Sequence, residues 1–396
     1  MSSTLNKVDY VKKDLPPLLK KLAYGLTAVG LVLVILAYLT DHTRSAYNNV
    51  ILLMFLISIG LGSLFLVAIE YLGGAVWSTP FRRIAEFLAA ILLIVPIVAI
   101  PIYFNMHELY HWLHHEAVES DPVLKGKAAY LNIKFFTIRV VAFFAVWILF
   151  YYLITNNSKK QDTTGDPELT KRNIRLSAIF IPIFAITLTF TAIDWMMSLE
   201  AHWFSTMFGV YYFAGIFLGG ITSVTFLLVY LNEKGNLVKG LVPDHYYSFG
   251  VFMFGFVNFW AYIAFSQYML IWYANLPEET IWFIHRWEGS WVAVSLAIIF
   301  IHFVIPFFVM VSQGSKMNAP KLKFMAIWIL IAHYIDLYWI VMPTFSPKGA
   351  VFGWIEFGFL VLGLGLVLLV FVLKAKNNNL VPIGDPKLQR GIDFRL

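Results

Sequence analysis

Cysteine is absent from this sequence of 396 residues. Disulfide bonds, thiolate-held iron–sulfur clusters, covalent attachment of c-type haem and catalysis by a thiol nucleophile all require cysteine. The chain cannot supply any of these groups itself. A redox centre of one of these kinds would have to belong to a partner subunit.

Charged residues are scarce as well. They make up only 13% of the chain, against 60% hydrophobic residues, and the mean hydropathy is +0.74. This composition lies far outside the range of soluble globular proteins. Apolar runs of about 20 residues, the length a helix needs to cross a membrane, take up most of the chain. The composition therefore predicts an all-α integral membrane protein with no soluble domain of ordinary size.

Ten apolar runs are separated by polar or turn-forming stretches. They predict ten transmembrane helices at 22–40, 49–71, 84–104, 132–154, 174–196, 207–231, 246–271, 288–312, 322–342 and 351–373. The chain then divides into an N-terminal segment (1–21), a ten-helix transmembrane domain (22–373) and a C-terminal tail (374–396). A basic stretch precedes the first run, as in a signal peptide. No small-residue cleavage site follows, so we expect this helix to be retained.

The positive charges predict the orientation. An even number of spans puts both termini on one side, and most of the 29 lysines and arginines fall in segments on that side. By the positive-inside rule we expect a multi-pass protein with both termini cytoplasmic. The excess of lysine and arginine over acidic residues is explained by this topology, so no nucleic-acid partner is expected.

Ionisable residues inside the predicted helices are costly, at about 2.5 kcal/mol or more each, and mark candidate functional sites. The clearest cases are Arg139, Asp194, His302, His333 and Asp336. His333 and Asp336 are three residues apart on one helix face, with Tyr338 next to them. This pattern predicts a proton path. A structural ion pair, for instance of Arg139 with either aspartate, is the alternative.

Two further patterns bear on ligands. Asn258, Tyr262, Ser266 and Gln267 form a polar stripe along the seventh helix, which favours a hydrated path, a head-group pocket or simple interhelical hydrogen bonding. Only two histidines fall within predicted helices, so one bis-histidine haem is the most the chain could hold. We expect no redox centre and no metal site in the chain. The histidines of "HELYHWLHH" (107–115) favour an interfacial or docking helix.

Long stretches of the sequence resemble a known family. They are "LYHWLHHEAVESDPVLKGKAAYLNIKFFTIR" (109–139), "FTAIDWMMSLEAHWFSTMFGVYYFAG" (190–215), "FWAYIAFSQYMLIWYANLPEET" (259–280) and "HYIDLYWIVMP" (333–343). These segments closely resemble the F subunit of bacterial alternative complex III, a quinol:cytochrome c oxidoreductase, within the polysulfide-reductase-type membrane anchor family. Ala201 departs from the proline expected in "LEPHW", which alters a loop turn.

The resemblance implies a ten-helix subunit of a bacterial inner membrane, without a cofactor of its own. Its second to fifth and sixth to ninth helices would form two four-helix bundles, with the first and tenth peripheral. Implied partners are a sister membrane subunit of the same fold, a periplasmic iron–sulfur subunit, multihaem and monohaem cytochromes c, and as a further candidate a terminal oxidase. Haem c and iron–sulfur clusters would lie in these partners. In that family the sister copy is the better candidate for the quinol site, and the F copy is more often considered a proton route.

The sequence thus predicts a membrane subunit of a quinol:cytochrome c oxidoreductase complex that provides a proton path, with a quinone pocket as a further hypothesis. It would not be an enzyme alone. The proton path would use Asp336, His333, Asp194, Arg139, His302 and Tyr338. A quinone pocket would use Tyr262, Gln267 and Asp194. A secondary transporter and a purely structural scaffold for the sister subunit are the alternatives.

Overall fold

The computed structural model of the protein describes residues 10–396; residues 1–9 of the predicted N-terminal segment lie outside the described residues. Within these residues, ten helices are long and apolar enough to cross a membrane, one for each predicted run, so the predicted number of long apolar helices is confirmed. No strand occurs between residues 10 and 396. The protein is therefore an all-helical, multi-pass membrane protein by length and composition.

The ten long helices are labelled in chain order. They are α1 (Pro17–Thr40), α2 (His42–Leu72), α3 (Thr79–Phe104), α4 (Ile133–Thr164), α5 (Pro167–Trp195), α6 (Phe208–Glu233), α7 (Pro243–Ala274), α8 (Trp291–Met310), α9 (Ala319–Phe345) and α10 (Trp354–Asn377). Shorter helical segments connect them at Met106–Leu109, His111–Leu113, His115–Ser120, Pro122–Lys127, Met197–Glu200, Pro277–Arg286, Gln313–Met317 and Leu388–Ile392. The predicted single helix over 107–115 is wrong, because that stretch is split among three of these short segments.

Several helices extend beyond their apolar runs. Helix α4 continues through polar residues to Thr164, where Gly165 takes a left-handed conformation with φ of 63°. Asp166 then accepts a hydrogen bond from the Glu168 N–H at 2.9 Å and caps α5, whose first residue is a proline. The connection that hydropathy places at 155–173 is thus a turn of two residues.

Helices α2 and α6 lie at the centre of the molecule and are almost wholly buried. Glycines let their backbones touch: a Cβ atom on Gly62 would lie 2.1 Å from the Ile216 carbonyl oxygen. A Cβ on Gly220 would lie 2.5 Å from the Gly62 carbonyl carbon. Because only glycine allows this approach, α2 and α6 form the axis against which α5, α7 and α9 pack.

Helices α1 and α10 pack mainly against each other. Their crossing also depends on glycine, since a Cβ on Gly30 would lie 2.5 Å from the Leu362 Cα, and one on Gly365 would lie 2.5 Å from the Thr27 nitrogen. Helix α1 is the more exposed of the two. Helix α10 also packs against α2 and α3 and is largely buried, so of these two helices only α1 is peripheral, and the predicted peripheral position of α10 is wrong.

The two described ends of the chain meet at one end of the helical body. Lys12 Nζ donates to the Lys376 carbonyl at 2.7 Å. The predicted C-terminal tail is anchored there, because Asp385 forms a buried ion pair with Arg82 at 2.5 Å. An even number of crossings requires this placement of the termini.

Candidate functional site

Three ionisable side chains meet in the interior of the α6–α9 half. His302 comes from α8, and His333 and Asp336 come from α9. One nitrogen or oxygen atom of each lies within 4.8 Å of the others, and all three side chains are buried. The geometry therefore brings together three of the six residues predicted for a proton path.

Asp336 is held by two neutral donors. The Tyr211 hydroxyl of α6 donates to Oδ1, and the Trp260 indole N–H of α7 donates to Oδ2 at 3.1 Å. Within residues 10–396, no lysine or arginine forms an ion pair with this carboxylate. Asp336 can therefore gain or lose a proton without leaving a cation unpaired, which an ion-paired carboxylate cannot do.

The two histidines have free nitrogens. Neither ring nitrogen of His302 nor of His333 has a hydrogen-bond partner among the described residues. The His302 ring stacks on Trp260, with centroids 3.9 Å apart. The His333 ring lies against α6, where a Cβ on Gly215 would be only 2.5 Å from its Cε1 atom. The glycine thus makes the space that His333 occupies.

A local irregularity in α8 presents His302. The segment Ile299–Val304 is π-helical and leads into Pro306. Proline has no N–H, so in this register the carbonyl of Ile301 loses its donor. The Trp328 indole of α9 replaces that donor, at 2.7 Å from the Ile301 oxygen. The backbone carbonyl freed by the distortion therefore still accepts a hydrogen bond, and the π-helical turn directs the His302 side chain toward the interior.

The three side chains of the cluster lie close enough together to share one small ligand. One nitrogen or oxygen atom of each lies within 4.8 Å of the other two, so the group could surround a water molecule or a metal ion. A haem between the histidines would collide with Trp260 and with the α6 backbone at Gly215. The unpartnered ring nitrogens and the nearby carboxylate are groups that can exchange protons, directly or through a water molecule.

A cavity of about 680 Å³ adjoins the cluster. Tyr211 and Trp260, the two donors to Asp336, form part of its wall, and Gln267 and Tyr262 lie along it. Gln267 is only 3% exposed, and its Oε1 atom has no partner among the described residues. Tyr262, 65% exposed, lies at the outer surface. Three of the four residues of the polar stripe predicted on α7, Asn258, Tyr262 and Gln267, thus border a cavity that reaches from the surface to the cluster, and Ser266 does not.

The segment Pro277–Arg286 contributes another wall of this cavity through Trp282 and Phe283. Arg286 fixes it to α9: its guanidinium donates to the carbonyl of Trp339 at 3.1 Å and to that of Ile340 at 2.6 Å. It also stacks 3.4 Å above the Trp282 ring. Removal from water lowers the pKa of Arg286 to about 9, so it stays protonated at neutral pH.

Asp194 and Arg139 lie apart from the cluster and form a pair. Arg139 Nε donates to Oδ2 of Asp194 at 2.9 Å, and Nη2 donates to Oδ1 at 2.8 Å. The Tyr130 hydroxyl adds a third hydrogen bond to Oδ1 at 2.9 Å. This two-point geometry is the structural ion pair considered as the alternative for these residues.

The other residues predicted for the proton path and the quinone pocket lie in different places. Tyr338 donates its hydroxyl to the Val351 carbonyl at 2.7 Å and makes no hydrogen bond to the cluster. Tyr262 and Gln267 share the cavity, but Asp194 is not part of its wall. The sequence analysis did not identify Tyr211 and Trp260 as site residues. Both lie within the segments quoted above, but neither belongs to the polar stripe or carries a charge that would mark it inside a helix.

No protein-family model and no curated protein matches this chain. Support for a function therefore comes from the buried cluster, the adjoining cavity and the resemblance of the sequence segments.

Proposed function

We propose that the protein is a membrane subunit of a quinol:cytochrome c oxidoreductase complex of the alternative complex III type, and that it provides a proton path. Helices α2–α5 and α6–α9 would form two four-helix bundles in a bacterial inner membrane, with both termini cytoplasmic. The partners would be the sister membrane subunit and the iron–sulfur and cytochrome c subunits that carry the redox centres. Proton transfer would be the contribution of this chain.

The observation that carries the proposal is the bonding of Asp336. A carboxylate within a membrane-crossing helix is expensive, and a cation would be its usual partner. Among the described residues, Asp336 instead accepts hydrogen bonds from Tyr211 and Trp260 only. Oxidation of a quinol releases two protons with its two electrons, and a carboxylate of this kind can accept one of them. His302 and His333, with unpartnered nitrogens nearby, can take part in the same exchange.

The Arg139–Asp194 pair is assigned a different role in this proposal. Both oxygens of Asp194 are bonded to the guanidinium, and Tyr130 holds the same carboxylate. Protonation of Asp194 would leave Arg139 as an unpaired buried cation, which is strongly unfavourable. We therefore place the proton path at the Asp336 cluster, and treat the pair as a connection between α4 and α5.

The test is the variant Asp336→Asn in the assembled complex. Asparagine keeps the shape, and its Oδ1 can accept from the Trp260 N–H while its Nδ2 donates to the Tyr211 oxygen, but it cannot take up a proton. We expect normal assembly with quinol:cytochrome c turnover or vesicle proton release lowered by about tenfold or more, and an altered pH profile. The matched control is Asp166→Asn, because asparagine caps a helix as well as aspartate does.

Wild-type turnover and proton release of the Asp336→Asn complex from pH 6 to 9 would refute the proton path and favour the scaffold alternative. A secondary transporter would behave differently again. It would purify without cytochromes and would move a solute in vesicles that contain this chain alone.

A further inference from the structure

We infer that His302, His333 and Asp336 form a binding site for one divalent transition-metal ion of the Zn²⁺ class in the interior of the protein. The inference replaces the expectation, drawn from the sequence, that the chain has no metal site. Metal binding itself does not depend on the proposed function, whereas its consequence for proton exchange rests on that function.

The carboxylate of Asp336 lacks a positively charged partner. The side chain is buried, and no lysine or arginine between residues 10 and 396 forms an ion pair with it. A buried charge in a protein is usually paired with an opposite charge or bound to a metal ion. A divalent cation beside Asp336 would supply the compensating charge that the surrounding side chains do not provide.

The two histidines offer neutral donor atoms next to this carboxylate. All four ring nitrogens of His302 and His333 are buried and have no hydrogen-bond partner in the part of the chain that the structure describes. A neutral imidazole has a lone pair on one nitrogen, and this is the atom that binds a metal ion. One nitrogen of each histidine lies within 4.8 Å of the other and of an oxygen of Asp336. One ion can therefore share the three donor atoms.

The kinds of donor atom select the kind of ion. Two imidazole nitrogens and one carboxylate oxygen suit Zn²⁺ and similar ions such as Co²⁺, whereas Mg²⁺ and Ca²⁺ prefer oxygen ligands alone. Softer ions such as Cu(I) favour thiolates, and the chain has no cysteine. Three protein ligands leave the fourth position of a tetrahedral site open for water or another small ligand.

The neighbours of the cluster can hold these ligands in place. Tyr211 and Trp260 donate to different oxygens of Asp336, and each oxygen keeps a further lone pair for a metal ion. Trp260 also stacks on the His302 ring, with centroids 3.9 Å apart. The π-helical segment Ile299–Val304, which carries His302, is a distortion often found at functional sites. Outer contacts of this kind orient metal ligands and change the affinity for the metal by about 10- to 100-fold.

Metal binding would compete with the proposed proton exchange. An ion held by Asp336 and both histidines occupies the atoms that would otherwise accept protons. Under the proposed function, Zn²⁺ should therefore inhibit quinol:cytochrome c turnover of the assembled complex.

The experiment measures zinc binding to the purified full-length chain in detergent micelles, so that metals of partner subunits do not contribute. The chain is treated with a chelator, incubated with Zn²⁺ and freed of unbound metal. We expect one bound Zn²⁺ per chain, with an X-ray absorption spectrum of two imidazole nitrogens and a carboxylate oxygen at about 2.0–2.2 Å. His302→Gln and His333→Gln should each weaken binding at least about tenfold, and Tyr211→Phe by about 10- to 100-fold.

The control is His114→Gln, which tests for capture of zinc by surface histidines. The His114 ring lies 5.6 Å from that of His107 and 5.7 Å from that of His111, and all three residues are exposed. This variant should bind zinc as the wild type does. Helical circular dichroism of every variant checks its folding.

The inference is overturned if the folded wild-type chain binds no zinc, or if His114→Gln loses the metal while His302→Gln and His333→Gln retain it. The absorption spectrum of the wild type decides without any variant, because fewer than two imidazole ligands would also refute the site. The two proposals can fail separately. Zinc bound at the cluster without inhibition of turnover refutes only the proton path, and lowered turnover of Asp336→Asn without zinc binding to the wild type refutes only the metal site.

Discussion

Removal of the Arg139 guanidinium should destabilise the protein without stopping its function. The side chain makes a two-point contact with Asp194, with distances of 2.9 and 2.8 Å, and a third bond to the Tyr130 carbonyl at 3.1 Å. It also lies 3.8 Å above the Tyr130 ring and 4.3 Å above that of Phe135. Arg139→Met keeps the apolar stem of the side chain, so the change isolates the loss of charge.

The expected loss in the free energy of unfolding follows from the burial of the Arg139–Asp194 pair. Removing one partner of a buried ion pair costs about 3–5 kcal/mol, because the other charge is left without compensation. Asp194→Asn should cost a similar amount for the same reason. The double variant removes both charges, so it should cost far less than the sum, with a coupling energy of at least about 2 kcal/mol.

The assay is equilibrium unfolding in mixed detergent micelles, followed by helical circular dichroism, for the two single variants and the double variant. Lys171→Met is the control, since the Lys171–Glu168 pair is exposed and should contribute less than about 1 kcal/mol. Quinol:cytochrome c turnover of the assembled double variant should stay near the wild-type value. Additive destabilisation would refute the structural role of the pair, and so would loss of turnover in a fully assembled double variant.

Two more predictions concern packing and topology. Gly215→Ala should destabilise the protein by about 1–3 kcal/mol and displace the His333 ring, because the new Cβ would lie 2.5 Å from the Cε1 atom of that ring. The control is Gly255→Ala, where no atom lies within 4 Å of the new Cβ. This variant should be neutral or slightly stabilising in the same unfolding assay. Because the chain has no cysteine, single cysteines can report orientation. A cysteine at Ser120 should react with an impermeant maleimide added outside spheroplasts, and one at Lys376 should not; the reverse pattern would overturn the proposed topology.

Hydropathy predicted the number of helices but not their ends. An apolar run marks the part of a helix that can lie in hydrocarbon, and it carries no signal where the helix continues into polar residues. Helix α4 shows the difference, since its last turns, up to Thr164, are polar. The capping residues Gly165 and Asp166 were the available signal, because together with Pro167 they specify the end of one helix and the start of the next.

The cluster was predictable only in part. The spacing of His333 and Asp336 along one helix predicts that they share a face, and the similar depth of His302 in its own helix allows it to join them. The contribution of Tyr211 and Trp260 follows from the contact of α9 with α6 and α7, which is a tertiary arrangement without a signature in sequence spacing. The π-helical segment of α8 is a partial exception, because Pro306 indicates where its hydrogen bonding must change.

Burial cost marks both Asp194 and Asp336 as candidate functional residues, yet the partners of the two carboxylates differ in kind. Asp194 is bonded to a guanidinium at both oxygens, so a change in its protonation would leave a buried cation unpaired. Within residues 10–396, Asp336 receives hydrogen bonds only from a phenol and an indole, and it lies near imidazole nitrogens that have no partner of their own. A change in its protonation can be shared within this group of neutral side chains. Because the cost of moving a proton depends on what the partner becomes afterwards, the second environment favours proton transfer and the first opposes it.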